Sequence, residues 1–463
     1  MKISTTRKVL LIALFWLLVW QAIYLAVGRE IIVPSPVSAF KSFCSLVASA
    51  AFYRDVAATV FRCALGMLLS FVFGLGTALL SYRFSYIRSL LSLPVLIFKA
   101  TPVMAIILFL LLCLTSGKVP VVVCFLMCYP IVYTNLLSGF DHISSQHLEL
   151  SKLYRLSAAD TMSYIYLPSV TPEISASLNL IAGLSWKTVV AAEVLATPHF
   201  SMGYNLMNAK TYLETADLFA WTISIICFSL VFEKIIKRIL KNYAPKPYAK
   251  SKVLSRAKAR HAPERKEPPR IKVSGLHKKY PGATVFSGFS AEFPAGATTA
   301  IMAPSGRGKT TLLRLVAGLE KCDGGEITGT GDADISYLFQ ENRLLPWLNV
   351  FDNMALVLKN RLSPNEIEAQ IAQMLECLEL SPNAHSLPDQ LSGGMKHRAA
   401  VGRAFLCPAS ILLLDEPFKE LDFELKNRIV GNIWPVYTDK KTILLVTHSR
   451  EDAGKLASRQ VSL

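Results

Sequence analysis

Six long apolar runs, separated by short polar stretches, dominate the first half of the chain. A helix needs about 20 apolar residues to cross a bilayer, and the runs are close to that length or longer. They cover residues 9–27, 56–80, 87–114, 119–137, 174–196 and 219–240. The third run contains Pro94 and Pro102, which predict a kink or break near Lys99. The pattern predicts an all-α membrane domain with six transmembrane helices over residues 1–242.

The first apolar run follows three basic residues and could also be the core of a signal peptide. It is long for that role and further runs follow, which favours an uncleaved first helix. Six spans place both ends of the membrane domain on one side of the bilayer. The predicted cytoplasmic loops then contain the basic residues Arg83, Arg88, Lys152 and Arg155. This distribution agrees with the excess of Lys and Arg found in cytoplasmic loops.

A strongly basic block follows the last apolar run. Residues 234–272 contain 14 Lys and Arg against two acids, in a chain of net charge +16. Such a block could bind nucleic acid, but its position directly after an apolar run favours a cytoplasmic membrane edge beside anionic lipid. Residues 243–269 are rich in Pro, Lys, Arg and Ala, which predicts a basic cytoplasmic linker. The nine scattered cysteines indicate neither a disulfide scaffold nor a structural metal site.

A glycine-rich turn carries the strongest chemical signal in the polar half. It lies between a short apolar strand, residues 300–302, and a helical pattern. Its residues are Ala303, Pro304, Ser305, Gly306, Arg307, Gly308, Lys309, Thr310 and Thr311. Strand, turn and helix form the context of a phosphate-binding loop, where backbone N–H groups and a helix N-terminus surround phosphates. Lys309 would reach phosphate oxygens and Thr310 would bind Mg²⁺; the alternative is a glycine-rich turn without a ligand.

Four further features follow in a fixed order along the chain. Asp415 and Glu416 end an apolar strand, and suit binding Mg²⁺ through water and polarising an attacking water, respectively. The helix opened by Ser392, Gly393 and Gly394 offers a second place where backbone amides can meet a phosphate. Gln340 and His448 each follow a predicted strand.

In this order the motifs resemble the ATPase domain of ABC transporters, over residues 270–463. The resemblance implies an α/β P-loop domain that binds ATP and Mg²⁺ and hydrolyses ATP. By this resemblance, residues 303–311 correspond to the Walker A loop and residues 391–395 correspond to the signature motif. It implies catalytic roles for Glu416, His448 and Gln340, and Mg²⁺ binding by Thr310, Gln340 and Asp415. It also implies that Tyr280 stacks on adenine and that Asp422 belongs to the nucleotide site.

The sequence departs from the family pattern at a few positions. Ala303 replaces the first glycine of the loop, which costs about 1–2 kcal/mol if that position needs a positive φ. Met395 stands where glutamine is common, and Lys419 and Glu420 stand where small residues are usual. We expect these departures to affect the rate of hydrolysis more than its occurrence, because both carboxylates and the histidine are present.

One chain carries one Walker A loop and one signature motif. In the family, the phosphates of one ATP lie between the Walker A loop of one domain and the signature motif of another. The resemblance therefore implies two copies per assembly, most simply a homodimer with two equivalent ATP sites. A heteromeric complex with a different half-transporter is the alternative.

The loop after the fourth apolar run resembles the EAA motif of binding-protein-dependent ABC permeases. Glu149, Ile165, Leu167 and Pro168 match that motif, and Arg155 replaces its glycine. The resemblance implies a type I importer permease whose coupling segment, residues 145–168, docks on the ATPase domain. Exporters are the main alternative, but the short inner loops leave no room for their long helical extensions.

Two stretches resemble the nitrate/sulfonate/taurine branch of these importers: residues 191–195 with 202–204, and residues 340–347. The resemblance implies import of a small solute across the cytoplasmic membrane, delivered by an extracytoplasmic solute-binding protein. That branch also contains importers of thiamine precursors and other small organic compounds. A non-transporting membrane ATPase regulator is the alternative from another class. Glu193 is either a functional membrane carboxylate or a helix cap at the outer surface.

Overall fold

The computed structural model describes residues 5–243, 253–254, 267–304, 306–331, 333–419 and 421–463, without the side chains of residues 5–10 and 241–243. Most of the predicted linker (residues 243–269), Ser305 and Glu420 lie outside the described residues. The chain forms two compact units. The first contains Met1–His142 and Ser169–Ala244, and the second contains Ile143–Pro168 and Pro245–Leu463.

The first unit is entirely helical within its described residues. Its helices are α1 (Thr5–Val27), α2 (Pro36–Val47), α3 (Ala50–Arg83), α4 (Ser85–Ala100), α5 (Val103–Cys113), α6 (Val119–Asp141), α9 (Leu167–Ala196), α10 (Met202–Thr211) and α11 (Thr215–Tyr243). Four helical stretches are long and apolar enough to cross a bilayer, and a bent helix pair adds a fifth. The apolar stretch Leu11–Val27 is shorter. The unit is therefore a helical membrane domain, while the count of six spans remains a prediction.

The bent pair lies in the third apolar run. Helices α4 and α5 meet at an angle of 106° around Thr101 and Pro102. Pro94 lies inside α4 without ending it, whereas Pro102 immediately precedes α5. The break therefore occurs at the second of the two prolines that the sequence singled out, close to Lys99.

Helices α3 and α6 form the central pair of this unit. A methyl group in place of the Gly66 hydrogen would lie 2.6 Å from Cys124 Sγ, so this glycine permits the close approach of the two helices. Tyr129 and Tyr133 on α6 donate hydrogen bonds to Thr77 and Ser81 on α3, at 3.2 and 3.1 Å. The buried Cys124 thus serves packing, as its position in an apolar run suggests.

The structure excludes one of the two interpretations of Glu193. Its side chain is fully buried, and it is not a helix cap at a surface. Arg62 on α3 donates to it at 2.7 Å, Thr59 at 2.9 Å and the Gly203 N–H at 3.2 Å. A buried carboxylate is tolerated when it is paired and hydrogen-bonded in this way. Glu193 therefore holds α3, α9 and the start of α10 together.

The second unit is an α/β domain with a short helical segment packed into it. That segment contains α7 (Ser145–Leu153), α8 (Ala158–Thr161) and a π-helical turn (Met162–Tyr166). The strands are β1 (Ile271–Tyr280), β2 (Ala283–Phe293), β3 (Thr298–Met302), β4 (Gly324–Thr328), β5 (Ile335–Leu338), β6 (Ile411–Asp415), β7 (Thr442–Val446) and β8 (Arg459–Ser462). The other helices are α12 (Lys309–Val316), α13 (Val350–Ala355), α14 (Pro364–Cys377), α15 (Gly393–Leu406), α16 (Phe423–Tyr437) and α17 (Arg450–Leu456).

Two sheets organise this domain. Strands β2, β1 and β4 form an antiparallel sheet, and β5, β6, β7, β3 and β8 form a parallel sheet in that order. All residues of β6 and β7 are buried, which explains their uninterrupted apolar sequences. The strands of the parallel sheet end along one edge. The motifs found in the sequence come directly after several of these strands and therefore lie at that edge.

Candidate functional site

Four neighbouring strands of the parallel sheet end at the candidate site. The glycine-rich loop follows β3, Gln340 follows β5, Glu416 follows β6 and His448 follows β7. In parallel sheets, ligands bind in the crevice outside the carboxyl ends of the strands. The order β5-β6-β7-β3 therefore brings together residues that are more than a hundred positions apart in the chain.

The loop after β3 is shaped by two glycines with left-handed backbones. Gly306 has φ of 80° and Gly308 has φ of 87°, a region that side chains other than glycine rarely adopt. Ala303 is not among the residues of positive φ, so the missing glycine causes no backbone strain. The largely buried Lys309 donates hydrogen bonds to the carbonyl oxygens of Ala303 at 2.7 Å and Pro304 at 3.0 Å.

The last residue of β6 faces the start of the helix that follows the loop. Thr310 Oγ1 donates to Asp415 Oδ2 at 2.7 Å, and Asp415 is only 2% exposed. Burial raises the pKa of the Asp415 carboxyl, and the neighbouring Glu416 charge raises it further, although the Thr310 hydrogen bond acts in the opposite direction. The pair joins a hydroxyl and a carboxylate, the two kinds of oxygen ligand that protein Mg²⁺ sites use.

Glu416 adopts a conformation that is rare for a residue with a side chain. Its φ is 54°, and its N–H donates to Val446 O at 3.0 Å. Backbone strain of this kind is concentrated at functional sites. His448 Nε2 lies 3.1 Å from Glu416 Oε1, and Lys419 Nζ lies 3.4 Å from Glu416 Oε2. The two carboxylate oxygens therefore have different partners.

The contact between Lys419 and Glu416 leads to a prediction about the rate. Lys419 is one of the departures from the family pattern, and it occupies one oxygen of the proposed catalytic carboxylate. The lysine is half-exposed, so we expect only a modest ion pair, of about 0.2–1 kcal/mol. Lys419→Ser should raise the turnover number for ATP by up to about fivefold, because that oxygen becomes free for the attacking water. Steady-state ATPase assays check this against Lys272→Ser, an exposed lysine on β1; an unchanged or lower turnover number would contradict it.

Most of these residues line one cavity of about 270 Å³. It is lined by Val285, Gly306, Gly308, Lys309, Thr310, Thr311, Gln340, Asp415, Glu416 and His448. A larger cavity of about 920 Å³ in the same unit is lined by residues outside these motifs, such as Arg361 and Lys441. The smaller cavity is the candidate site because it collects the groups with matching chemistry.

The donor set in this cavity fits Mg²⁺ that is shared with a phosphate ligand. Thr310, Gln340 and Asp415 all line it and all carry oxygen donors. Within the described part of the chain, no three His, Cys, Asp or Glu residues lie close enough to hold a metal by themselves. Mg²⁺ in nucleotide sites is usually held by one or two carboxylates together with phosphates and water, which this set matches.

Other predicted site residues lie outside the lining of this cavity. Ser392 is exposed and its Oγ accepts from Met395 N at the start of α15, while Asp422 accepts from Leu425 N at the start of α16. Tyr280 is 39% exposed at the end of β1. The structure therefore gathers the phosphate loop, Gln340, the carboxylates and His448, but leaves the signature residues at the surface of this unit.

The predicted coupling segment, residues 145–168, packs within the same unit as the candidate site. Arg314 donates to Glu149 through Nη2 at 2.8 Å and Nη1 at 3.1 Å, and Arg343 donates through Nη1 at 2.6 Å. Burial acts to raise the pKa of the Glu149 carboxyl, but the two arginines outweigh it and hold that pKa below its usual value. Arg343 follows Gln340 by three positions, so Glu149 is bound by groups attached to the candidate site.

Further contacts fix the rest of the segment. Trp347 Nε1 donates to Tyr164 O at 2.7 Å, and Lys359 forms a buried ion pair with Asp160. Arg155 has φ of 49°, which explains why the motif usually has glycine there, and its side chain reaches Ala333 O at 3.1 Å. Of the other residues predicted for coupling, Ile165 is fully buried, Leu167 is exposed and Pro168 is intermediate.

Sequence reasoning missed the partners of the coupling segment. Arg314 and Lys359 carry no motif signal, and neither does Asp160 within the segment, because their pairing depends on distant parts of the chain meeting in space. Arg343 and Trp347 do lie in the stretch 340–347 that resembles one importer branch. Their contacts with Glu149 and Tyr164 show that this stretch holds the coupling segment.

A P-loop domain with these motifs along one edge of its parallel sheet has the fold of an ABC ATPase, and this chain joins it to a helical membrane domain. Comparison with protein families agrees. Residues 286–419 match the family described as "ABC transporter". Residues 70–247 match "Binding-protein-dependent transport system inner membrane component". The chain therefore contains one region similar to inner membrane components of binding-protein-dependent transport systems and a second region similar to ABC transporter ATPases.

Curated relatives match the ATPase part. The sulfate/thiosulfate import ATP-binding protein CysA of Burkholderia mallei (strain ATCC 23344) is 35% identical over 208 residues, which cover 42% of this chain and 59% of the relative. CysA of Escherichia coli (strain K12) is 36% identical over 206 residues, 41% of this chain and 56% of the relative. The chain thus spans little more than half the length of these relatives. A dimeric ATP-binding cassette, MJ0796 bound to ADP and Pi, is 28% identical with a TM-score of 0.38, over 42% of this chain and 94% of that one.

Proposed function

We propose that this chain is one half of an importer that uses ATP hydrolysis to move a small anionic solute across the cytoplasmic membrane. The observation that carries the proposal is the cavity in which Lys309, Thr310, Asp415, Glu416 and His448 meet. The coupling segment bound in the same unit supplies a route by which hydrolysis acts on the membrane domain.

The residues of the cavity divide the work of hydrolysis. Lys309 exchanges its hydrogen bonds to the loop carbonyls for contacts with the β- and γ-phosphates, since both kinds of partner are oxygen acceptors. Thr310, Asp415 and Gln340 hold Mg²⁺, which neutralises phosphate charge when it is bound. Glu416 accepts a proton from water as the water oxygen bonds to the γ-phosphorus and the bond to ADP breaks. His448 holds Glu416 in place through the contact of 3.1 Å.

The assembly is a homodimer in this proposal. The signature residues Ser392, Gly393 and Gly394 and the nearby Asp422 lie outside the lining of the cavity, and Ser392 is exposed. In the proposed dimer these four residues complete the ATP site of the second copy, as the family resemblance implies. A solute-binding protein on the outer side delivers the solute, which is suggested by the name of the matching permease family.

The proposed solute is a small oxyanion or sulfonate. The relatives of the ATPase part are named for sulfate and thiosulfate import. The sequence resemblance points to the nitrate, sulfonate and taurine branch, whose solutes share small size and an anionic oxygen-bearing group with those anions.

The test has two parts. The purified full chain in proteoliposomes should hydrolyse ATP with Mg²⁺, and Lys309→Ala should reduce the rate at least about 100-fold, because the lysine contacts the transferred phosphoryl group. Cells lacking the gene should then be complemented with the wild-type chain or Lys309→Ala. Uptake of radiolabelled sulfate, thiosulfate, nitrate or taurine should return only with the wild-type chain.

The outcomes separate the alternatives. Absence of Lys309-dependent ATP hydrolysis would refute the enzyme assignment. Hydrolysis with none of the four solutes taken up would refute the solute class while keeping the ATPase. Accumulation of a solute in the deleted strain, relieved by the wild-type chain, would identify an exporter.

A further inference from the structure

A continuous line of hydrogen-bonded side chains runs from Tyr280 to the coupling segment. It starts at the end of β1, where the Tyr280 hydroxyl donates to Glu320 Oε2. Burial and the nearby Glu320 raise the pKa of the Tyr280 hydroxyl, which keeps it protonated as a donor at neutral pH. The ring itself is 39% exposed, so its hydroxyl is fixed while part of the ring stays accessible.

Glu320 shares its two carboxylate oxygens between different partners. Oε2 accepts from Tyr280, and Oε1 accepts from Arg314 Nε. Glu320 lies four residues after the end of α12, the helix that begins at Lys309. It therefore touches the proposed adenine-contacting residue on one side and a residue of the phosphate-loop helix on the other.

Arg314 uses all three of its side-chain nitrogens in this line. Nε donates to Glu320, and Nη1 and Nη2 donate to the two oxygens of Glu149. A guanidinium is planar and rigid, so a rotation imposed by one carboxylate changes the hydrogen bonds to the other. Arg343 forms a further ion pair with Glu149. The carboxylates of Glu320 and Glu149 therefore balance the charges of the two arginine side chains.

We propose that Glu320 is a positioning residue that couples the ring of Tyr280 to Glu149 of the coupling segment through Arg314. Occupancy of the adenine position and docking of the coupling segment then influence each other, because both depend on the orientation of the same guanidinium. The proposal rests on the proposed function and on the sequence prediction that Tyr280 stacks on adenine, and it adds a second route besides the phosphates by which ATP acts on the coupling segment.

The first test replaces Glu320 with glutamine in the full chain in proteoliposomes. The amide replaces one of the two carboxylate oxygens with an NH2 donor, so it cannot accept at both of the positions that face Tyr280 and Arg314. We expect the KM for ATP to rise about fivefold with kcat within about twofold of wild type, because the reacting groups are untouched. The matched control is Glu326→Gln, an exposed carboxylate on β4, which should keep the wild-type KM. A loss of kcat without a change in KM would indicate a structural role only and overturn the proposal.

The second test is a double-mutant cycle whose decisive arm, in the wild-type background, does not depend on how the Glu320 variant folds. Tyr280→Phe removes only the hydroxyl, and Glu149→Gln removes only the charge. In the wild-type background their combined effect on KM should differ from the product of the single effects by a factor of at least about 3, since residues in one network are not additive. In the Glu320→Gln background, the combined effect of the two substitutions on KM should equal the product of their single effects.

Independent effects in the wild-type background would overturn the coupling. That result differs from failure of the proposed function, which would appear as a wild-type chain without Lys309-dependent ATP turnover. The same proteoliposomes therefore show which of the two is wrong.

Discussion

Glu416→Gln is expected to lower the turnover number for ATP by a factor of about 10²–10⁴, the contribution typical of a positioned general base. Glutamine has the same shape and can still accept a hydrogen bond from His448 through its Oε1, but it cannot take a proton from water. Asp415, Thr310 and Lys309 remain in place, so we expect ATP binding to persist. The measurement is single-turnover hydrolysis in proteoliposomes, with nucleotide affinity determined separately.

The matched control for this variant is Glu424→Gln, an exposed acid in the first turn of α16. It should hydrolyse ATP at the wild-type rate. If Glu416→Gln kept full activity, the catalytic carboxylate would have to be sought elsewhere. If it lost ATP binding as well, the substitution would have damaged the loop whose backbone is held by Val446 O.

The second large effect is expected at Glu149→Gln, which should uncouple hydrolysis from transport. The carboxylate is paired with two arginines, and Arg343 is only 9% exposed in its side chain. Loss of one partner from a largely buried ion pair costs several kcal/mol, mainly because the remaining charges lose their partner. We expect uptake per ATP hydrolysed to fall at least about tenfold, with ATP hydrolysis itself within about threefold of wild type.

Lys152→Gln provides the comparison, because Lys152 lies on the same helix, α7, and is exposed. It should leave uptake and hydrolysis unchanged. ATPase activity is measured in proteoliposomes and uptake in complemented cells. A normal ratio of uptake to hydrolysis in Glu149→Gln would show that the ion pairs only stabilise the segment.

Because the pKa of Glu149 is lowered, docking of the coupling segment is expected to depend on pH, and the direction of that dependence follows from the shift. A carboxylate whose pKa is lowered by folding contributes stability above its unfolded pKa, and that contribution is lost as the pH falls through the folded value. Docking of the coupling segment therefore stays intact at neutral pH and weakens only on acidification below the usual range of glutamate.

Much of the candidate site could be predicted from local sequence. Lys309, Thr310, Asp415, Glu416, Gln340 and His448 were all found from a strand followed by a characteristic residue, and the structure gathers them around one cavity. Their roles remain predictions. The proline-induced break in the third apolar run was also predicted locally, since Pro102 cannot continue the preceding helix.

The contacts of the coupling segment could not be predicted in the same way. The sequence indicated where the segment is, but Glu149 meets Arg314 and Arg343 only because distant stretches of the chain meet in the second unit. Whether Ala303 is strained was open for a related reason, since φ depends on the path of the whole loop, and the structure shows no positive φ there. Lys419 looked like an unexplained departure until its contact with Glu416 was visible.

Apolar run length, a glycine-rich turn and strand-ending carboxylates are local properties of the chain, so a single sequence is enough to predict the chemical groups and the order of the domains. Which of these groups meet depends on the fold. The strand order β5-β6-β7-β3 assembles the cavity, and ion pairs between distant residues hold the coupling segment and bury Glu193 against Arg62. Long-range pairing has no signature in a single sequence, since it depends on how packed elements place charges side by side.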